Sequence, residues 1–164
     1  YIPFSDKYTE LLISLGFIMR GEIIWQKSKG ANANFAWGSW LSASNPVIRD
    51  IHEYCLVFSK DSMTKASKGA STIEKEEFMD STLSIWNVPP ARAKKIGHPA
   101  PYPVELVERF IKLYSYEKEL ILDPFMGSGT TAIGAINLNR NYIGYENNEE
   151  YIKLAEERIN SIIK

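Results

Sequence analysis

Residues Leu120 to Thr131 read Leu-Ile-Leu-Asp-Pro-Phe-Met-Gly-Ser-Gly-Thr-Thr, and this stretch constrains the chain more than any other. A short apolar run ends in an acid and a proline, and a glycine-rich turn then opens a helical pattern. That order predicts a strand ending at Asp123, a tight turn, and a helix from Thr130 to Leu138. Gly127 and Gly129 carry no Cβ and can adopt positive φ, so a ligand can approach the backbone of the turn closely. The helix that follows offers unpaired N–H groups and a positive dipole end to a carboxylate or phosphate. Asp123, at the carboxyl end of the strand, can accept hydrogen bonds from an ammonium or hydroxyl group. An ordinary βα turn without a ligand is the plain alternative.

A second signal follows. After the polar turn Asn139-Arg140-Asn141, Tyr142 to Tyr145 reads as a strand ending in Glu146. An acid at the end of the second strand of a βαβ unit is placed to accept from both hydroxyls of a ribose. Taken alone, Glu146 reads as a solvated turn acid. The span Glu149 to Ile162 predicts a helix with Ile152, Leu154, Ala155, Ile159 and Ile162 as its apolar positions. Turn and acid together suit an adenosine cofactor with an amino-acid end. The spacing Gly127-x-Gly129-x-x-Ala132 also fits a dinucleotide fingerprint, but the turn begins Asp-Pro-Phe and has only one strand after it. A P-loop is excluded, because no lysine follows the second glycine.

Asp123-Pro124-Phe125-Met126-Gly127-Ser128-Gly129-Thr130-Thr131 resembles the S-adenosylmethionine-binding motif of DNA amino-methyltransferases. Just upstream, Gly97-His98-Pro99-Ala100-Pro101-Tyr102-Pro103-Val104-Glu105-Leu106 resembles the cofactor motif that circularly permuted members place before it. This order is that of the beta group, which methylates N6 of adenine or N4 of cytosine. Gly21 to Lys27 and His52 to Lys60 resemble that group's later sheet strands. The resemblance implies a Rossmann-like α/β fold, a mixed sheet flanked by helices. It also implies S-adenosylmethionine as cofactor, double-stranded DNA as partner, and a restriction-modification role.

Residue by residue, it implies cofactor binding by His98, Pro99, Asp123, Phe125, Gly127, Ser128, Gly129, Thr130 and Glu146. The backbone around Gly127 and Gly129 would support the methionine end, and Glu146 would hold the ribose. Phe125 packs either on the cofactor or in the core. Ser128, Thr130 and Thr131 either cap the helix or bind the carboxylate, with capping expected. Residues 1–164 are expected to form one partial methyltransferase domain, with 97–164 as its cofactor segment and 60–96 as a candidate DNA-recognition region.

The family's catalytic signature, an acid, asparagine or serine followed by Pro-Pro and an aromatic residue, does not occur in the chain. Its one Pro-Pro stands in Val88-Pro89-Pro90-Ala91, which reads as a rigid loop. The catalytic residues are therefore unknown from this sequence. The catalytic strand is expected to precede Tyr1, making the chain the C-terminal part of a longer enzyme or one piece of a split one. A non-catalytic cofactor- or DNA-binding subunit is the alternative.

With 164 residues and 45% hydrophobic content, the chain can bury a real core. A net charge of −1 does not announce nucleic-acid binding, but the distribution is uneven. Arg92, Lys94 and Lys95 lie in a stretch from Ile85 to Ala100 without an acid, whereas residues 101–164 hold ten acids against seven bases. Lys27 and Lys29 form a second basic group beside Trp25. Such clusters either track phosphates or are solvated loops. The single Cys55 provides no disulfide framework and reads as core packing. His52 and His98 lack metal-ligand spacing, and no apolar run reaches membrane-spanning length. No signal peptide is recognisable, and a reducing cytoplasm fits.

Elsewhere the pattern predicts a helix over Tyr8 to Leu15, strands over Ile18 to Trp25 and Tyr54 to Ser59, and a helix over Val104 to Tyr114. Between the strands, Gly30 to Asp50 carries Phe35, Trp37 and Trp40, which either pack as a lid over the sheet or stack on a displaced base. Lys60 to Asp80 is polar and is expected to be a mobile loop with a short helix near Glu74 to Phe78.

Overall fold

A computed structural model describes residues 2–27, 38–48, 50–97 and 99–163, without the side chains of Lys94 and Lys95. Lys29, Phe35, Trp37 and His98 lie outside the described residues. The elements run α1 (Phe4–Ser14), β1 (Ile18–Gln26), β2 (His52–Ser59), α2 (Lys75–Ser81), β3 (Ile85–Asn87), α3 (Ala93–Ile96), α4 (Val104–Tyr114), β4 (Leu120–Asp123), α5 (Thr130–Asn137), β5 (Asn141–Gly144) and α6 (Glu149–Ile163). They fall into two compact units, one from Tyr1–Met63 and Ser84–Pro89, the other from Thr64–Leu83 and Pro90–Lys164. None of the described helices is long and apolar enough to cross a membrane.

The first unit is a three-stranded mixed sheet in the order β2-β1-β3, with β1 antiparallel to β2 and parallel to β3. Its core is aromatic. Trp25 of β1 pairs in register with Trp86 of β3, and the two are 3% and 1% exposed. The buried indole of Trp25 cannot leave its N–H unpaired without cost. It donates to the Val88 carbonyl at 2.7 Å, which fixes the entry to the Pro89-Pro90 loop. A register shift between Met19 and Gly21 breaks the β1–β2 ladder beside Arg20, whose guanidinium reaches Ser59 Oγ at 2.9 Å and the Met63 carbonyl at 2.6 Å. Helix α1 starts at Phe4, earlier than the apolar spacing alone indicates, because Pro3 at its N-cap and Asp6 in its first turn are start signals. The three-residue β3 escaped sequence analysis, being too short to show a period.

The second unit holds a two-stranded parallel sheet, β4-β5, joined by the crossover helix α5. The sequence of α5, Thr-Thr-Ala-Ile-Gly-Ala-Ile-Asn, is rich in small residues and lets its neighbours approach. A Cβ on Gly134 would lie 3.2 Å from Val107 Cγ1 of α4, and one on Gly129 would lie 3.0 Å from Ala155 Cβ of α6. Leu106, Ile111, Ala132, Ile133, Ala135 and Ala155 form the buried seam between these helices.

Residues 64–72 do not behave as the loose loop expected of Lys60 to Asp80. The Lys65 ammonium pairs with the Glu119 carboxylate and donates to the Tyr114 carbonyl at 3.1 Å. Ser67 Oγ donates to Glu119 Oε1 at 2.9 Å, and Glu117 N–H donates to the Ala70 carbonyl at 3.0 Å. Thr72 Oγ1 accepts from Arg140 at 2.9 Å. The segment is thus a strap tied across the α4–β4 turn. Arg140, only 4% exposed, also donates to the Ser115 carbonyl at 2.7 Å and to Ser115 Oγ at 3.1 Å. Burial lowers its pKa, the charges of Glu117 and Glu119 act against that, and donation to neutral oxygens also helps the fold keep this charge inside.

Candidate functional site

Strands β4 and β5 are parallel and in register from Leu120–Asn141 to Asp123–Gly144, so both carboxyl ends open on the same side. Ligands of open α/β sheets bind outside such ends. Here the turn from Asp123 to Gly129 is joined to the end of β5 by two backbone bonds. Tyr145 N–H donates to the Asp123 carbonyl at 2.9 Å, and Met126 N–H donates to the Tyr145 carbonyl at 2.8 Å. Gly144 permits this closeness, because a Cβ there would sit 2.0 Å from Met126 Cε. Gly127 and Gly129 take φ of +53° and +80°, in the left-handed region that favours glycine.

The result is a cavity of about 390 Å³ entirely within the second unit. Its lining comes from three segments distant in sequence: Ala100 to Tyr102, Phe125 to Thr130, and Glu146 to Tyr151. Sequence analysis named Phe125, Gly127, Ser128, Thr130 and Glu146, and the fold brings all five to the lining. Pro99, Asp123 and Gly129 do not line it. Ala100, Pro101, Tyr102, Met126, Asn147, Asn148 and Tyr151 do and were missed as individual site residues. Tyr102 lies inside the Pro-rich motif, and Asn148 could have been found as the N-cap of α6. Its Oδ1 accepts from Glu150 N–H at 2.9 Å and Tyr151 N–H at 3.3 Å.

The Glu146 carboxylate is oriented by backbone. Its Oε2 accepts from Gly127 N–H at 2.8 Å, and its Oε1 accepts from Asn147 and Asn148 N–H, each at 2.9 Å. Asp123 stands behind the wall. Its Oδ1 accepts from Phe125 N–H at 2.9 Å, and its Oδ2 accepts from the hydroxyls of Tyr102 at 3.0 Å and Thr131 at 2.5 Å. Burial raises the Tyr102 phenol to about 12, against the lowering effect of Thr131 and with a further rise from Asp123. Tyr102 therefore remains a proton donor at neutral pH.

One expectation needs correction, and one open alternative closes. The N-cap of α5 is Gly129 without a side-chain cap, so Ser128 and Thr130 do not cap the helix. Their hydroxyls instead accept from Arg158 of α6, at 2.8 and 3.4 Å. Phe125 is 84% exposed and is not a core residue. Outside the cavity, the Lys27 ammonium pairs with Glu53 and lies 5.1 Å over the Trp25 ring. Arg92 is the exposed N-cap of α3. Burial, followed by the charge of Glu53, pushes the Cys55 thiol up to about 11, which suits packing rather than nucleophilic chemistry. A larger groove of about 430 Å³ in the first unit is lined by Phe4, Tyr8, His52, Tyr54 and Leu56 among others, but it meets β2 at its amino end and no glycine lines it.

A family model described as DNA methylase, covering N6 and N4 methyltransferases, matches residues 2–157. This chain belongs to that family. It is 32% identical to the Type II methyltransferase M.MthZI of Methanothermobacter thermautotrophicus, across 99% of this chain and 49% of that protein. Among solved structures it is similar to TTHA0409, a putative DNA modification methylase from Thermus thermophilus, complexed with S-adenosyl-L-methionine. The match has a TM-score of 0.78 at 28% identity, over 98% of this chain and 60% of that one. The M1.HpyAVI–SAM complex gives a TM-score of 0.68 at 27% identity, over 98% and 71%. The fold is the Rossmann-like α/β fold of these methyltransferases. The chain spans about half the length of the curated relatives it matches.

Proposed function

We propose that this chain is the S-adenosylmethionine-binding part of a restriction-modification DNA methyltransferase that methylates adenine N6 or cytosine N4. The observation that carries this reading is the convergence of the Pro-rich turn, the glycine-rich turn and Glu146 on one cavity. Its size, about 390 Å³, falls in the range of small-molecule sites. When bound, the cofactor supplies a sulfonium methyl group for direct attack by the exocyclic nitrogen. The chain's own residues bind and orient. The turn at Gly127 and Gly129 receives the amino-acid end, and Glu146 accepts from the ribose hydroxyls. Phe125 covers an exposed face of the bound molecule. Asp123, held by Tyr102 and Thr131, fixes the shape of the turn. Such positioning gives a transfer between two bound partners a large part of its rate.

The two units belong, on this reading, to one methyltransferase domain whose remaining segment carries the catalytic tetrad. Strand β4 has β5 as its one strand neighbour among the described residues. Leu120, Leu122, Ile143 and Tyr145 are 58%, 60%, 43% and 62% exposed, an apolar surface that a two-stranded sheet does not sustain alone. We assign that surface to the complementary segment. Double-stranded DNA is the other partner. Lys27, Lys29, Arg92, Lys94 and Lys95 supply its backbone contacts, and 60–96 supplies recognition. A cytoplasmic location belongs to the same proposal.

The absent tetrad favours a second reading, a non-catalytic cofactor- or DNA-binding subunit. Calorimetric titration with S-adenosylmethionine, with Asp123→Ala and Glu146→Ala alongside, tests the cofactor site. Saturable binding weakened by both substitutions is expected, and a folded protein that binds none sinks the reading. Transfer to duplex DNA once the tetrad-bearing segment is supplied decides for the enzyme. A stable complex that binds cofactor and DNA without transfer decides for the subunit.

A further inference from the structure

Arg158 of α6 reaches the glycine-rich turn from behind the cavity. Its Nη1 donates to the Ser128 carbonyl, to Ser128 Oγ at 2.8 Å and to Thr130 Oγ1 at 3.4 Å. A guanidinium only donates, so both hydroxyls must act as acceptors toward it. Each hydroxyl has one hydrogen left. Among the described residues, neither donates that hydrogen to a protein acceptor, although Ser128 and Thr130 are only 4% and 2% exposed. Both residues line the cavity. Among the described residues no carboxylate forms an ion pair with Arg158, and burial lowers its pKa with no acid offsetting the effect. A partly buried cation without a counter-charge stands next to two buried hydroxyls whose hydrogens remain unassigned. The N-terminus of α5, with its own unpaired N–H groups, begins at the same place.

We propose that Arg158 is a positioning residue that selects ligands carrying a carboxylate at their amino-acid end. It holds Ser128 and Thr130 as acceptors on its own side and so turns their hydrogens toward the cavity, where they donate to the anion. A hydroxyl that accepts from a cation is polarised into a stronger donor. The charge of Arg158 also completes an anion-favouring corner that the helix end begins. Ligand binding then neutralises a charge the fold leaves uncompensated. This inference rests on the cofactor reading above and extends it to a residue that does not line the cavity.

The test compares two probes on the full chain, S-adenosylhomocysteine and 5′-methylthioadenosine, which shares the adenosine and sulfur but lacks the carboxylate and ammonium. In Arg158→Met, affinity for S-adenosylhomocysteine is expected to fall about tenfold or more, while affinity for methylthioadenosine changes less than about twofold. Equal weakening of both probes would mean that Arg158 merely supports the fold and would overturn the proposal. An unchanged affinity for both would also overturn it. Arg158→Lys keeps the charge but not the planar fork, and serves if the methionine variant fails to fold. It is expected to shift the same ratio about threefold, and an unshifted ratio counts against the proposal. Failure of the unaltered protein to bind either probe removes the cofactor reading itself, and this inference with it.

Discussion

Asp123 ends β4, Glu146 follows the end of its parallel neighbour β5, and each accepts at least three hydrogen bonds among the described residues. The donors differ in kind. Asp123 accepts one backbone N–H and two side-chain hydroxyls, whereas Glu146 accepts three backbone N–H groups. A hydroxyl can rotate to another acceptor, but a backbone N–H in a fixed turn cannot. Asp123 is therefore the keystone of a repairable network behind the cavity. Glu146 is built into the wall and sets the shape of both segments it touches, the glycine turn and the start of α6. Two acids of similar sequence appearance thus carry different burdens.

The largest expected effect exploits that difference. Glu146→Ala leaves three N–H groups without their carboxylate, and solvent can reach those of the exposed Asn147 and Asn148 more easily than that of Gly127. We expect a stability loss of about 2–3 kcal/mol, since bonds to a charged acceptor are worth about 1.5–3 kcal/mol each before water compensates. Asp123→Ala should cost less, about 1–2 kcal/mol. The Tyr102 and Thr131 oxygens already lie 3.0 Å apart and can pair with each other when the acid is gone. Urea denaturation of both variants measures the order. If Asp123→Ala is the more damaging, the contrast between repairable and fixed donors fails.

Gly129→Ala tests the wall from the other side. The residue has φ of +80°, and a Cβ would stand 3.0 Å from Ala155 Cβ and 3.2 Å from Ala155 Cα. Left-handed strain costs about 1–2 kcal/mol, and relief of the contact requires α6 to move. Because Asn148 begins that helix, the shift should reach Glu146. The expected result is a stability loss of about 1–2 kcal/mol together with weaker cofactor binding. A stability loss with unchanged binding would show that the wall tolerates a displaced α6.

Much of this was legible in the sequence, and the reason differs from element to element. The helix Val104–Tyr114 follows from its apolar period after Pro103, and β4, α5 and β5 follow from an apolar run, a glycine turn and a polar turn in order. Five of the nine candidate cofactor residues line the cavity because they belong to one contiguous motif or directly follow the strand beside it. What sequence could not supply was partnership across distance. Arg158 lies 28 residues beyond Thr130 on a helix whose charged positions all look solvated, so its tie to the turn has no local signature. The strap at 64–72 was invisible for the same reason. Its composition is that of a loose loop, and only its cross-links to Glu119 and Arg140 contradict that.

Glu119 offers the smallest effect and a third way of holding an acid. Its carboxylate is held by the Lys65 ammonium, by Tyr116 N–H at 2.8 Å and by Ser67 Oγ at 2.9 Å. The bond from Lys65 is the largest of the causes, with the Tyr116 N–H next, that lower its pKa from the usual 4.5 to about 2. A depressed acid stabilises the fold at pH above its ordinary value, and that contribution disappears as pH falls from about 4.5 toward 2. The side chains of Lys65 and Glu119 keep 43% and 24% of their exposure, so the pair is screened and worth about 1 kcal/mol or less. Glu119→Gln should therefore reduce stability slightly at pH 7 and flatten its decline between about pH 4.5 and 2. Added salt should shrink the gap between the two proteins, while leaving the cost of Glu146→Ala nearly unchanged, because fixed backbone donors at short range are screened far less than an exposed ammonium.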